Sequence, residues 1–97
     1  MILRIVHMHF RPDAIEEFLG LFGEHREAIA GSQGCRSLKL VQSQERTSTI
    51  STISIWDSEK ALDAYRRSPL FAEVWPRTKT LFAASPQAES HTILWSS

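Results

Sequence analysis

The chain has 97 residues, with 11 Lys plus Arg balanced by 11 Asp plus Glu, and 42% of its residues are hydrophobic. That is length for one domain, a net charge of zero that excludes the cationic surface nucleic-acid binding needs, and enough apolar content to exclude a disordered chain. A single cysteine, Cys35, excludes an internal disulfide framework and a cysteine-based metal site.

The first ten residues carry one basic residue, Arg4, and are interrupted by His7 and His9, so neither a signal peptide nor a membrane anchor is expected. No run approaches the roughly 18 apolar residues of a membrane span, and a reducing cytoplasm is the expected compartment. Residues 2–10 read as a buried strand, rich in Ile, Leu, Val, Met and Phe and free of Gly and Pro. Pro12 suits the first turn of a helix, where its missing N–H costs nothing, and Asp13, Glu16 and Glu17 sit near the positive end of the helix dipole. Ile15, Phe18, Phe22 and Ile29 fall on one helical face, and Gly31 and Gly34 end the helix. Residues 35–42 form a second strand with Leu38 and Leu40 on one face. The polar run 43–46 makes a hairpin loop into a third strand, 47–56, dense in Thr and Ile. Asp57 is the expected N-cap of a short helix over 58–67 that buries Leu62 and Tyr65. Ser68 and Pro69 restart the helical pattern as cap and first residue. Its apolar face holds Leu70, Phe71, Val74, Trp75, Leu81 and Phe82, and a kink or break is expected at Pro76. Residues 87–95 close the chain as a fourth strand.

The order strand, helix, strand, strand, helix, strand is the ferredoxin-like βαββαβ arrangement, an α+β fold with a four-stranded antiparallel sheet under helices. Residues 1–97 read as one such domain. A chain this short hides only roughly 60–65% of its unfolded surface, and both faces of the first and third strands carry apolar residues. A solvated sheet face is ordinarily polar. Pairing two sheets face to face in a homodimeric α+β barrel covers the surplus.

Two groups of residues can carry chemistry. The first is histidine: His7 and His9 share a face of the first strand, His91 lies on a neighbouring strand, and His25 falls on the apolar stripe of the first helix. A histidine beneath a sheet can act as a general base near neutral pH, so His25, His9 and His7 are the candidate catalytic residues. A metal on His7, His9 and His91 has only Glu89 close in sequence to orient it, and no metal site is expected. The second is aromatic: Trp56, Tyr65, Phe71, Trp75 and Phe82, with His91, are the candidate lining of a cleft that stacks a flat organic molecule. Arg66 and Arg67 read as a solvated helix face.

Phe18 and Phe22, Gly34-Cys35, Trp56-Asp57-Ser58-Glu59, Ala61-Leu62, Tyr65-Arg66, Ser68, Phe71, Trp75 and Leu81-Phe82 form a pattern that resembles the antibiotic biosynthesis monooxygenase group of dimeric α+β-barrel proteins. The resemblance spans nearly the whole chain and implies cofactor-independent oxygenation of a small phenolic or quinol-like compound, with no cofactor required. In that scheme the substrate loses a proton to histidine and its anion reduces O₂ directly. Haem-degrading relatives carry an iron-binding histidine ten positions beyond a helix aromatic that matches Tyr65. Here that position is Trp75, whose indole has no lone pair to offer iron. The competing reading is a non-catalytic dimer that binds a small hydrophobic molecule in a regulatory or stress-response role.

Overall fold

The computed structural model describes residues 1–97. Strand β1 spans Ile2–Phe10, a single 3-10 turn covers Pro12–Ala14, and helix α1 follows over Ile15–Ala30. β2 is Cys35–Gln42 and β3 is Thr49–Trp56; α2 is Glu59–Arg66, α3 is Pro69–Lys79 and β4 is Phe82–Thr92. The strands form one antiparallel sheet in the order β2-β3-β1-β4. This is the expected ferredoxin-like α+β fold.

Register sorts the strand residues into two faces. Val6 pairs with Thr52 and Ala88, and Arg4 with Ser54 and Ser90, so even-numbered residues of β1 and β3 look toward the helices. Leu3, Ile5, His7 and His9 pair with Ile55, Ile53, Ser51 and Thr49, and these look the other way. Beneath the helices, Met8, Phe10, Ala14, Phe18, Ile50 and Leu81 form the central cluster. Phe10 and Phe18 stack with ring centroids 4.3 Å apart. Only 14 of 97 residues are buried, so the core of one chain is thin.

Local chemistry sets the joints between elements. Gly34 adopts φ +85° before β2, and a Cβ there would lie 2.5 Å from the Ala61 Cβ. Glycine is required both by its conformation and by the close approach of α2. The cap of α2 is Ser58, whose Oγ accepts from the Ala61 N–H at 3.1 Å. Asp57, the expected cap, instead pairs with Arg36 across the start of β2. Ser68 and Pro69 open α3 as expected, and Ser68 Oγ accepts from the Phe71 N–H at 3.1 Å.

Two expectations are corrected. The break expected at Pro76 does not occur, because the residue whose carbonyl loses its partner, Ala72, is exposed and water can replace the missing donor. The last strand begins at Phe82, five residues earlier than periodicity suggests, and ends at Thr92. Thr92 pairs with Ile2, and a last backbone bond runs from the Ile93 N–H to the Met1 carbonyl at 3.1 Å. Leu94 and Trp95 are 92% and 81% exposed. Pro86 interrupts the sequence signal, yet β4 is an edge strand, where proline is tolerated. Leu81 and Phe82 therefore leave the helix: Leu81 fills the core from the turn and Phe82 pairs with Phe10.

Candidate functional site

The inner sheet face is not filled to the helices. Thr52 and Ser54 on β3 and Ala88 on β4 are small where a larger aliphatic side chain would occupy the layer. Above them lies an apolar cavity of about 210 Å³, lined by 19 residues of which 13 are hydrophobic. Its sheet wall is Arg4, Val6, Met8, Leu38, Thr52, Ser54, Trp56, Pro86 and Ala88. Its helix wall is Phe18, Phe22 and Ile29 from α1, Leu62, Tyr65 and Arg66 from α2, and Phe71, Val74, Trp75 and Thr78 from α3. Ala88 is exposed, so the space reaches solvent along the β4 edge.

The aromatic residues form a continuous chain around this space. Trp56 stacks on Tyr65 at 5.1 Å, Tyr65 meets Phe71 edge-on at 5.3 Å, and Phe71 stacks on Trp75 at 5.8 Å. Trp75 meets Phe82 at 5.7 Å, and Phe82 leads through Phe10 to Phe18 and Phe22. Every aromatic side chain except Trp95 belongs to it. Offset and edge-on pairs of this kind hold one another rigidly and present flat apolar walls.

Few polar groups converge on the cavity. Ser54 Oγ accepts from the Trp56 indole N–H at 2.9 Å, and Thr78 Oγ1 donates to the Val74 carbonyl at 2.9 Å, so both fix the wall. The Tyr65 hydroxyl makes no hydrogen bond within the chain, and its oxygen is not fully buried. Burial pushes the Tyr65 phenol up to about 12, with a smaller contribution from the Cys35 side chain. It is a proton donor at neutral pH and not a base. Arg4 donates to Ser90 Oγ at 2.9 Å. Burial holds its guanidinium below the usual range, the positive charge of Arg66 lowers it further, and Asp63 acts in the opposite sense.

Of the residues singled out from sequence, Trp56, Tyr65, Phe71 and Trp75 come together on the cavity wall. Phe82 stands behind them, against Trp75 and Phe10. The histidines lie elsewhere. His25 is half-buried on α1; its Nδ1 donates to the Leu21 carbonyl at 2.9 Å and its Nε2 is 3.7 Å from Glu73 Oε1 on α3. His7 and His9 are on the opposite sheet face. His7 Nδ1 meets Ser51 Oγ at 2.7 Å, His9 Nδ1 meets Thr49 Oγ1 at 3.1 Å, and His9 Nε2 donates to Gln87 Oε1 at 2.6 Å. His91 sits opposite Leu3, four strand positions or about 13 Å from His7, with Glu89 Oε2 3.4 Å from its Nε2. No three side chains among His, Cys, Asp and Glu gather as a metal site would require.

Sequence reasoning passed over both charged lining residues, Arg4 and Arg66. The signal for Arg4 was present: it is the one charged residue among the even positions 2–10, whose other members are Ile2, Val6, Met8 and Phe10. Arg66 follows Tyr65 at the end of α2, where it was read as solvated surface.

A ferredoxin-like α+β domain with an aromatic-walled cavity between sheet and helices is thus the class that fold and site define. Residues 1–75 match the antibiotic biosynthesis monooxygenase family, and the chain belongs to that family. Among solved structures, a conserved protein from Methanosarcina mazei Go1 superposes with a TM-score of 0.88 at 22% identity, covering 94% of this chain and 91% of its own. Rv0793 from Mycobacterium tuberculosis gives 0.90 at 22% identity, covering 98% and 96%. A variant of SnoaB, a cofactor-independent oxygenase from Streptomyces nogalater, gives 0.85 at 15% identity, covering 98% and 94%. At these identities the likeness is one of fold. No curated protein matches the sequence. No helix is long and apolar enough to cross a membrane.

Proposed function

We propose that residues 1–97 act as one family domain that oxygenates a small phenolic or quinol-like compound with O₂ and no cofactor. The observation that carries this reading is the cavity of about 210 Å³ walled by Trp56, Tyr65, Phe71 and Trp75. An apolar cavity of about 150 Å³ accommodates benzene, so this one suits a molecule of one or two rings. Family membership and the fold shared with a cofactor-independent oxygenase supply the reaction class.

The chemistry needs an electron-rich anion in a dry place. A phenol that loses its proton passes electrons to O₂, and one oxygen atom bonds to ring carbon. The second oxygen leaves as water when the quinone forms, so the substrate supplies all the electrons. Apolar walls exclude bulk water, and the neutral Tyr65 hydroxyl is a donor for the developing oxyanion. The proton acceptor on this reading is His25. It lies between Phe22 and Ile29 on the helix face that walls the cavity, although it does not itself touch the space. His9 and His7 are reachable only through solvent around the sheet.

Oxygen consumption with a panel of small phenols, naphthols and quinols tests the proposal. Uptake well above buffer, reduced at least tenfold in His25→Ala and unchanged in His9→Ala, is expected. No uptake with any compound sinks the oxygenase reading; full activity in His25→Ala removes that residue as base. A second reading has its own support, since the lining contains no carboxylate and no imidazole: binding of the same compounds without oxygen uptake would identify a non-catalytic small-molecule carrier.

The uncovered sheet face supports a homodimer. Leu3, Ile5, Ile53 and Ile55 crowd its centre in register, and a second copy would bury them.

A further inference from the structure

The cavity carries charge at one place only, where two cations line it. Arg4 rises from the sheet floor and Arg66 descends from the last turn of α2, and both line the space. They stand near enough for the charge of one to act on the other. Neither is properly neutralised. Arg4 has no carboxylate partner and donates only to the Ser90 hydroxyl. Arg66 reaches Asp63 at 4.0 Å, a separation of weak pairing, and its side chain is half exposed. Two guanidiniums facing one marginal carboxylate leave a local excess of positive charge beside a low-dielectric interior, an arrangement that costs free energy until an anion arrives. The place is the right one for a ligand head group. Arg4 pairs with Ser90 on β4, two residues from Ala88, where the cavity opens to solvent. Guanidinium forks match the planar oxygen pair of a carboxylate.

We propose that Arg4 and Arg66 form an anion-binding mouth, and that the compound this cavity takes is an aromatic acid, with one or two rings among Trp56, Tyr65, Phe71 and Trp75 and its carboxylate between the two guanidiniums. This rests on the reading of the cavity as a binding site and adds the substrate class; it does not depend on oxygenation. The paired charges also set orientation, because the acid end stays at the mouth and the ring edge opposite it goes deepest.

The test is a binding comparison read by tryptophan fluorescence. Trp95→Phe removes the one indole on the exposed chain end and leaves Trp56 and Trp75, both on the cavity wall. In that background 2-naphthoate is titrated against 2-naphthalenemethanol, which has the same rings and no charge. The carboxylate is expected to bind roughly tenfold more tightly at low salt, and Arg66→Gln or Arg4→Gln is expected to abolish the preference by weakening the carboxylate far more than the alcohol. Arg66→Gln, at a half-exposed position, keeps the test valid if Arg4→Gln does not fold. Equal binding of the two compounds, or a preference that survives in Arg66→Gln, overturns the proposal. Quenching by neither compound overturns it together with the cavity reading, whereas binding with no oxygen uptake overturns the oxygenase reading alone.

Discussion

At the scale of single residues, Tyr65 shows how packing decides chemistry. Its ring is held between Trp56 and Phe71, and burial pushes its phenol from 10.0 up to about 12. The folded value lies above the unfolded one, so this contribution to stability is intact below pH 10 and is lost as pH rises toward 12. Absorbance titration of tyrosinate reads it directly, since Tyr65 is the only tyrosine. The midpoint is expected near 12 in the native protein and near 10 once unfolded. A native midpoint near 10 would place the hydroxyl in open solvent and remove it as the neutral donor of the site. The sequence disclosed this residue because an aromatic at a buried helical position is legible from spacing. It did not disclose Arg4 as part of the same site, since strand periodicity marks a face without saying whether a charge on that face is solvated at a cavity mouth.

At the scale of elements, the joint between α2 and α3 carries the helix side of the site. Ser68 Oγ donates to the Tyr65 carbonyl at 2.6 Å and accepts from the Phe71 N–H at 3.1 Å. One hydroxyl therefore closes α2 and opens α3, fixing two wall residues that meet edge-on, Tyr65 and Phe71, relative to each other. Ser68→Ala is expected to cost about 1 kcal/mol or more, seen as a lower midpoint in denaturant, and to weaken naphthoate binding beyond what stability explains. Unchanged stability would show that water replaces the hydroxyl at no cost. Ser-Pro at a helix start is a local signal, so the boundary at 68–69 was readable. The same holds for β1 and β2, whose limits of 2–10 and 35–42 agree with the structure, because apolar runs bounded by turn residues decide them. β4 was harder. Its first half reads Phe-Ala-Ala-Ser-Pro, and only the partner β1, with two shifts of register between His7 and Phe10, makes it a strand. A pairing between residues some 70 positions apart leaves no trace in local periodicity. The histidines were misplaced relative to the cavity for a related reason: His7 and His9 share a face as predicted, but which face lies under the helices is settled by Met8 and Phe10 packing on Phe18, and the histidines take the other side.

At the scale of the whole molecule, the two sheet faces have opposite problems. The inner face has too little side-chain volume and leaves a cavity; the outer face has more apolar surface than one chain can cover. β3 is eight residues long, so the sheet presents a patch of about 26 by 19 Å, and roughened by side chains this approaches the roughly 800 Å² per partner of a standard interface. Leu3 and Ile5 lie against Ile55 and Ile53 at its centre, both ring nitrogens of His9 find partners within the sheet, and His7 bonds Ser51 through Nδ1 at the exposed margin. A second copy packed face to face buries this patch, and sedimentation at micromolar concentration is expected to give about twice the 11.0 kDa chain mass. Ile53→Asp tests the contact at its centre, since Ile53 pairs with both Ile5 and Lys39. An uncompensated carboxylate buried by dimerisation costs several kcal/mol, so the variant is expected to sediment as a monomer with a lower melting temperature, while the cavity, on the far side of the sheet, still binds naphthoate. A wild-type chain that stays monomeric at that concentration would mean the outer face is stable in water, and the barrel would be the wrong assembly for this sequence.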